Sequence, residues 1–358
     1  MPTAPSEPPM IHDPILQSPV PQVSNAQVQQ VLHVHFAFSG TLQRLGGERD
    51  LNYRVLRSDG QARLLKLSNP LEDPQVTDFH NQAMQWIAKR DPTLPVQRIH
   101  PTTCGRLQVE ARVGEQHLLA RLLSFVEGQP LSQVAQPGPA LRRAMGQALA
   151  RFDRALEGFE HPAANHLLLW DMQRAARLRP LLEHLPEGDM QRLVGQALEA
   201  FEQQALPRLA GLRRQVIHND LNPHNVIVDQ HDPEQLRNIL DFGDMVCAPL
   251  VNELAVAASY QLGADDDALA PALQLIGAYH AHNPLQEQEL ALLPTLIATR
   301  QALALCINYW RAALYPDNRA YIMRNAQSAW IGLQGLARHG HTETLERIHA
   351  ACRPESFA

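Results

Sequence analysis

The chain has 358 residues and a mass of 40.0 kDa, with 45% hydrophobic and 19% charged residues. That apolar share supplies a core and excludes a mainly disordered chain, and the length suggests two domains or two lobes. A formal charge of −6 argues against a generic nucleic-acid binder. No apolar run is long enough to span a bilayer, and the first residues lack the positive region and apolar core of a secretory signal. The four cysteines, Cys104, Cys247, Cys306 and Cys352, form no CxxC pair. Their spacing speaks against a zinc site or a disulfide framework and for a reduced, cytoplasmic setting.

Residues 1–24 are rich in proline and hold no apolar face together, so they read as a flexible leader. A helix is expected over 28–37, with Asn25 placed to cap it. Next, DLNYRVLR and ARLLKLS, separated by Ser58-Asp59-Gly60, predict two strands joined by a tight turn. Strand alternation puts Leu64 and Lys66 on one face and Leu65 and Leu67 on the other. After Asp73-Pro74, helical spacing of apolar residues predicts a helix over 76–90. A second strand pair, 107–113 and 117–125, flanks Gly114-Glu115. For residues 25–125 these pieces predict a small antiparallel sheet carrying one helix.

From 126 to 358 the periodicity is mostly helical, over 139–156, 190–209, 268–280, 287–313 and 324–338. One stretch departs from it. VIHNDLNPHNVIVD and LRNILDFGD, within 216–244, read as short strands bracketing polar loops. Buried Asp and Asn are costly unless they are partnered or used, so the chemistry is expected there. The expected class is α+β, with a small antiparallel-sheet N-terminal lobe and a larger helical C-terminal lobe.

Asp220, on a fixed loop, can take or orient a hydroxyl proton. Asn225 offers a neutral oxygen to the same space, and Asp241, 16 residues further on, offers an anionic one. Hard oxygens around phosphate suit Mg²⁺, and phosphoryl transfer asks the protein mainly for positioning and charge neutralisation. His218 is expected to tie the loop together by hydrogen bonds. HNDLNPHN followed by ILDFGDM resembles the catalytic and metal-binding loops of the aminoglycoside phosphotransferase and choline kinase superfamily. The fuller run, VIHNDLNPHNVIVD…ILDFGDMVCAPLVNELAVA, is similar to the hydroxylysine kinase branch. The resemblance spans roughly residues 30–345. It implies a protein-kinase-like two-lobe fold, Asp220 as catalytic base, and Asn225 and Asp241 as metal ligands.

LGGERDLNYRV, residues 45–55, resembles that family's nucleotide-covering loop. Gly46 and Gly47 permit a tight turn, and Glu48 to Asn52 can bring backbone N–H groups near phosphates. The resemblance implies that Lys66 meets phosphate oxygens. The helix glutamate that usually holds such a lysine is missing; Gln82 occupies its place, with Asp78 one turn before. Ser124, Phe125 and Val126 are candidates for backbone contact with the nucleotide base. By the same resemblance Glu253 braces the catalytic loop, while Asp244 either supports the metal site or faces a substrate ammonium. Trp170, Asp171, Arg300, Tyr309, Trp310 and Arg311 are candidates for the acceptor pocket, with arginine for a carboxylate.

The expected activity is Mg²⁺-dependent transfer of the γ-phosphate of ATP or GTP to the hydroxyl of a small amino-containing metabolite. 5-Hydroxylysine leads, and homoserine, choline, ethanolamine and aminoglycosides stay open. A protein kinase fits less well, because no activation segment separates Asp244 from residues 249–257. The alternative class is a nucleotide-binding pseudokinase or scaffold, for which the missing helix glutamate speaks. No nucleic-acid or membrane partner is expected, and the oligomeric state is open.

Overall fold

The computed structural model describes residues 21–47 and 50–353. Glu48 and nearly all of the proline-rich leader lie outside the described residues. The chain divides into two compact units. The first runs to Glu127 and takes in His161–Leu169; the second comprises Gly128–Glu160 and Trp170–Ala358. The return of His161–Leu169 to the first unit has no sequence signal.

In the first unit, helix α1 (Asn25–Phe36) is followed by strands β1 (Thr41–Leu45), β2 (Leu51–Leu56) and β3 (Ala62–Leu67). Helix α2 (Pro74–Arg90) precedes β4 (Ile99–His100), β5 (Val109–Val113) and β6 (Gln116–Ser124). The strands form one antiparallel sheet in the order β1-β2-β3-β6-β4, with β5 also paired to β6. The β2–β3 turn is the expected one. Gly60 takes a φ of 85° and Asp59 Oδ1 accepts from the Gln61 N–H, a conformation for which glycine carries no side-chain penalty.

The helix cap is corrected. Ser24, not Asn25, caps α1, because its Oγ accepts from Gln27 N while Gln27 Oε1 accepts from Ser24 N at 2.8 Å. Two reciprocal bonds satisfy donors that a lone asparagine would leave exposed. The helical cover also differs from the expectation. Leu51, Tyr53, Val55, Leu65, Leu67, Leu118, Ala120 and Leu122 form one buried cluster with Val28, Val31, Leu32 and Phe36 of α1. Thus α1 covers one sheet face. Helix α2, capped by Asp73 with Pro74 in its first turn, packs beside β4 and the turn Pro162–Asn165. The opposite sheet face carries Asn52, Lys66 and Arg121 in register across β2, β3 and β6.

The second unit is helical around two small antiparallel sheets. Its longer α-helices are α3 (Pro139–Leu156), α4 (Asp189–Ala200), α5 (Leu250–Ser259), α6 (Ala270–His282), α7 (Leu293–Leu314) and α8 (Ala326–Ala351). Gly146 lets α3 approach α6, since a Cβ there would lie 2.4 Å from Leu275 O. The expected continuous helix over 287–313 is interrupted between Leu290 and Leu293, where Pro294 opens a new first turn. The expected helix over 190–209 ends as a π-turn and a 3-10 turn through Gly211, with Pro207 inside. Strands β7 (Gln129–Pro130), β9 (Val226–Val228) and β10 (Leu236–Ile239) form one sheet; β8 (Arg214–Ile217) and β11 (Val246–Pro249) form the other.

Candidate active site

The candidate residues fall into two groups, one in each unit. In the second unit the pairing registers set Ile217 opposite Val246 and Val226 opposite Ile239. Residues 218–225 and 240–245 therefore run side by side. Three hydrogen bonds join them: His218 Nε2 to Leu240 O at 3.0 Å, Leu240 N to Asn225 O at 2.8 Å, and Asn219 Nδ2 to Asp244 O at 3.2 Å. Among the described residues three non-glycines have positive φ, and two are here: Asn219 at 65° and Asp241 at 60°. Left-handed backbone at such residues costs on the order of 1–3 kcal/mol each and persists only where the surroundings enforce it.

Glu253 supplies much of that enforcement. It is fully buried near the start of α5 and accepts from the backbone N–H groups of both His218 and Asn219. Burial pushes its carboxyl up to about 7, against the lowering effect of those two donors. His218 is buried against the rings of Phe152 and Phe242, which also meet each other. Burial pushes its imidazole down to about 4, so near neutral pH it is uncharged. Nε2 then carries the proton given to Leu240 O, while Nδ1 accepts from Asp220 N at 3.3 Å. Its hydrogen bonds suit a loop tie.

The two oxygens of Asp220 are treated differently. Oδ2 accepts from Asn222 Nδ2 at 2.7 Å and from Asn225 Nδ2 at 2.8 Å, whereas Oδ1 lies 3.4 Å from Arg300 Nη2. Burial, then the nearby charge of Asp244, raises the Asp220 carboxyl well above the usual range, with Arg300 opposing. Because Asn225 gives its NH₂ to Asp220, its carbonyl oxygen is the end left for a cation. Asp241 is exposed, and its Oδ1 accepts from Gly243 N at 3.2 Å. Among the described residues no group of three or more His, Cys, Asp or Glu side chains forms a metal cage. Asn225 and Asp241 fit a hard cation that completes its shell with phosphate and water oxygens.

Of the acceptor candidates, Arg300 meets Asp220. Trp170 stacks on Arg300, its ring centroid 5.2 Å from the guanidinium carbon. Arg311 is buried on α7 and shares Arg300's side of the helix, about 16 Å further along. Tyr309, by helical phase, points away from that side. Asp171 is engaged as a cap, accepting from Gln173 N at 3.0 Å. Asn222 and Tyr260 complete the group, and sequence reasoning missed both. Asn222 lies inside the motif and was the more findable; Tyr260 reaches Arg300 only through tertiary packing.

In the first unit Lys66 forms an ion pair with Asp50 at 3.2 Å, with side-chain exposures of 18% and 12%. Asp50 is held in turn by Asn69 N at 3.0 Å. Gln82 does not take the missing glutamate's place. It is exposed and donates to Asp78, because it lies on the side of α2 away from the sheet. Asn81 faces inward instead and meets the buried Arg121 at 3.4 Å. Asn52 Nδ2 donates to Gly46 O at 3.3 Å, and a Cβ on Gly47 would lie 2.6 Å from the backbone oxygen of Asp50. Gly47 is therefore required by close approach. At Ser124 the N–H donates to Arg98 O and Oγ accepts from Arg98 N, so neither of these groups is open to a nucleotide base.

Residues 41–290 match the model of the phosphotransferase enzyme family. The mouse (Mus musculus) hydroxylysine kinase is 26% identical over 348 residues, covering 91% of this chain and 92% of its own length. That of Danio rerio is 27% identical over 332 residues, covering 89% and 92%. Among solved structures, an amicoumacin kinase in complex with AMP-PNP, Ca²⁺ and amicoumacin superposes with a TM-score of 0.63 at 14% identity, covering 85% of this chain and 93% of that one. A microcompartment-associated aminopropanol kinase superposes with a TM-score of 0.62 at 18% identity, covering 90% and 99%. These likenesses show a kinase-like fold. With the family model spanning most of its length, the chain belongs to the phosphotransferase enzyme family.

Proposed function

We propose that this protein transfers the γ-phosphoryl group of ATP or GTP to the hydroxyl of a small amino-containing metabolite, with 5-hydroxylysine as the leading acceptor. The observation that carries the reading is the Asp220 cluster: a partly buried carboxylate, its side chain 16% exposed, with one oxygen fixed by two asparagines and the other directed at a single arginine. Asp220 acts as the base that orients and deprotonates the acceptor hydroxyl. Asn225 and Asp241 would hold Mg²⁺, which neutralises charge developing on the transferred phosphoryl group. Lys66, kept in place by Asp50, binds phosphate oxygens of the donor. Backbone at Phe125 and Val126 meets the base, and Gly47 and Asn52 shape the covering loop. His218 and Glu253 hold the catalytic loop.

Asp244, whose charge acts on Asp220, favours an acceptor that carries an ammonium. Similarity to hydroxylysine kinases over nearly the whole chain supports that choice. The test is product formation from hydroxylysine, homoserine, choline, ethanolamine and one aminoglycoside, each with ATP and with GTP, at varied Mg²⁺. Hydroxylysine should be turned over and lysine should not, because lysine lacks the oxygen that receives the phosphoryl group; a site built to bond that hydroxyl should also make lysine a weak inhibitor. Turnover of choline or the aminoglycoside alone would overturn the acceptor and leave the reaction class standing. Metal-dependent nucleotide binding with no turnover of any acceptor or of water would favour a pseudokinase.

A further inference from the structure

Arg300, in the first half of α7, is 1% exposed and is the largest fully buried side chain among the described residues. Burying a guanidinium costs several kcal/mol unless its charge and donors are met. Here they are largely met. Its carbon lies 5.2 Å from the Trp170 ring centroid and 5.7 Å from that of Tyr260. Nη1 donates to Trp170 O at 3.2 Å, and Nη2 donates to the Tyr260 hydroxyl at 3.1 Å. Nε is buried without an acceptor. Both Nη atoms thus already donate to protein groups, and the 1% exposure of the residue leaves little surface for a substrate carboxylate.

What remains is the contact with Asp220. Asn222 and Asn225 both hold Oδ2, and Arg300 Nη2 stands 3.4 Å from Oδ1. That separation is too long for a strong charged hydrogen bond, which closes to about 2.8 Å, yet close enough for attraction to set the carboxylate torsion. Oδ1 therefore keeps a lone pair for a hydroxyl while its direction is fixed. We propose that Arg300 is a positioning residue that aims Asp220 Oδ1 at the acceptor hydroxyl, and that it is not a receptor for the acceptor's carboxylate. The inference rests on the reading of Asp220 as the base.

The test is a double-substitution cycle on the full chain. Arg300→Met should lower kcat about 10²-fold, the scale of a misaimed catalytic group. Acceptor KM and nucleotide affinity should stay within about twofold of wild type, and Arg300→Lys should recover part of the loss. In an Asp220→Asn background, Arg300→Met should cost less than about twofold more, because its effect runs through the carboxylate. A full second loss there, or a raised acceptor KM with kcat held, would overturn the proposal; the latter would make Arg300 a carboxylate receptor. Should Arg300→Met fail to fold, Tyr260→Phe must show the same kcat-selective pattern at smaller size, and a KM-selective pattern would overturn the inference. Should wild type turn over no acceptor, that failure falls on the base reading. The melting temperatures then decide the pairing: non-additive shifts for Arg300→Met and Asp220→Asn support it, and additive shifts overturn it.

Discussion

Lys66 projects from β3, a regular strand whose neighbours β2 and β6 fix its place by register, and its partner Asp50 comes from the approach to β2. Asp220 instead follows Asn219, whose φ is 65°, on a loop whose backbone N–H groups are held by the buried carboxylate of Glu253. The two units thus present charge by different means. On the sheet, the backbone is regular, and Lys66 and Asp50 meet through one ion pair between side chains. In the loops, backbone strain is held by buried hydrogen bonds, so the geometry exists before any ligand arrives. Preorganised groups avoid reorganisation during reaction, whereas adjustable ones suit binding and release.

Substitutions can break or sharpen that contrast. The largest effect is expected from Asp220→Asn, which should lower turnover about 10²- to 10⁴-fold, the usual contribution of a positioned base. Nucleotide affinity, measured directly, should hardly change; normal turnover would remove the base assignment. Glu253→Ala should come next. It strips the acceptor from two buried N–H groups and should cost about 2–3 kcal/mol of stability, read as a lower melting temperature with lower turnover. Equal melting temperatures would show that the loop holds itself.

The same glutamate gives a pH dependence. Its carboxyl is raised by burial from 4.5 to about 7 in the folded protein. A raised folded value means that the native state binds the extra proton. Glu253's contribution is therefore fully present below about 4.5 and is lost as pH rises through about 7. The carboxyl of Asp153, also raised by burial, acts with the same sign. Melting curves from pH 5 to 8 should fall for wild type and fall less steeply for Glu253→Gln. Parallel curves would rule out the glutamate as a source.

On the sheet side the expected effects are smaller. Asp50→Ala should weaken nucleotide binding about tenfold, in line with the roughly 1.5 kcal/mol of a bond to a charged group, while Gln82→Ala should leave it within about twofold. The reverse order would restore the helix residue as the lysine's support. Smallest is Ser24→Ala, which should cost about 1 kcal/mol through loss of the α1 cap, visible in melting and absent from kinetics.

The same contrast explains what was legible in the sequence. Asp220, Asn225 and Asp241 are readable because strained loops demand particular residues at particular spacings, and those residues are rare elsewhere in helical sequence. Lys66 is readable from strand alternation. Its partner is not: Asp50 meets it through strand register and a bond from Asn69, neither of which has a local pattern. Arg300 comes from a helix, where a buried arginine and a surface one look alike in sequence, and Tyr260 lies just past the end of another. Helix content was legible from periodicity, but its ends were decided by Ser24 and Pro294, single residues that change a boundary without changing a period.

The return of His161–Leu169 to the first unit has a consequence for how the protein is made. There Asp78 lies 3.4 Å from His161 Nε2, and the ring of Phe79 lies 5.5 Å from that of the same histidine. A nascent chain that has emerged only as far as Glu127 still lacks these partners, and its α2 face stays open to solvent. Synthesis must run past Leu169 before the first unit can close, by which time α3 has already left the ribosome. Cutting the gene after Glu127 would for the same reason yield an unfinished unit, whereas a fragment must carry the later segment, grafted or supplied as a peptide, to be whole.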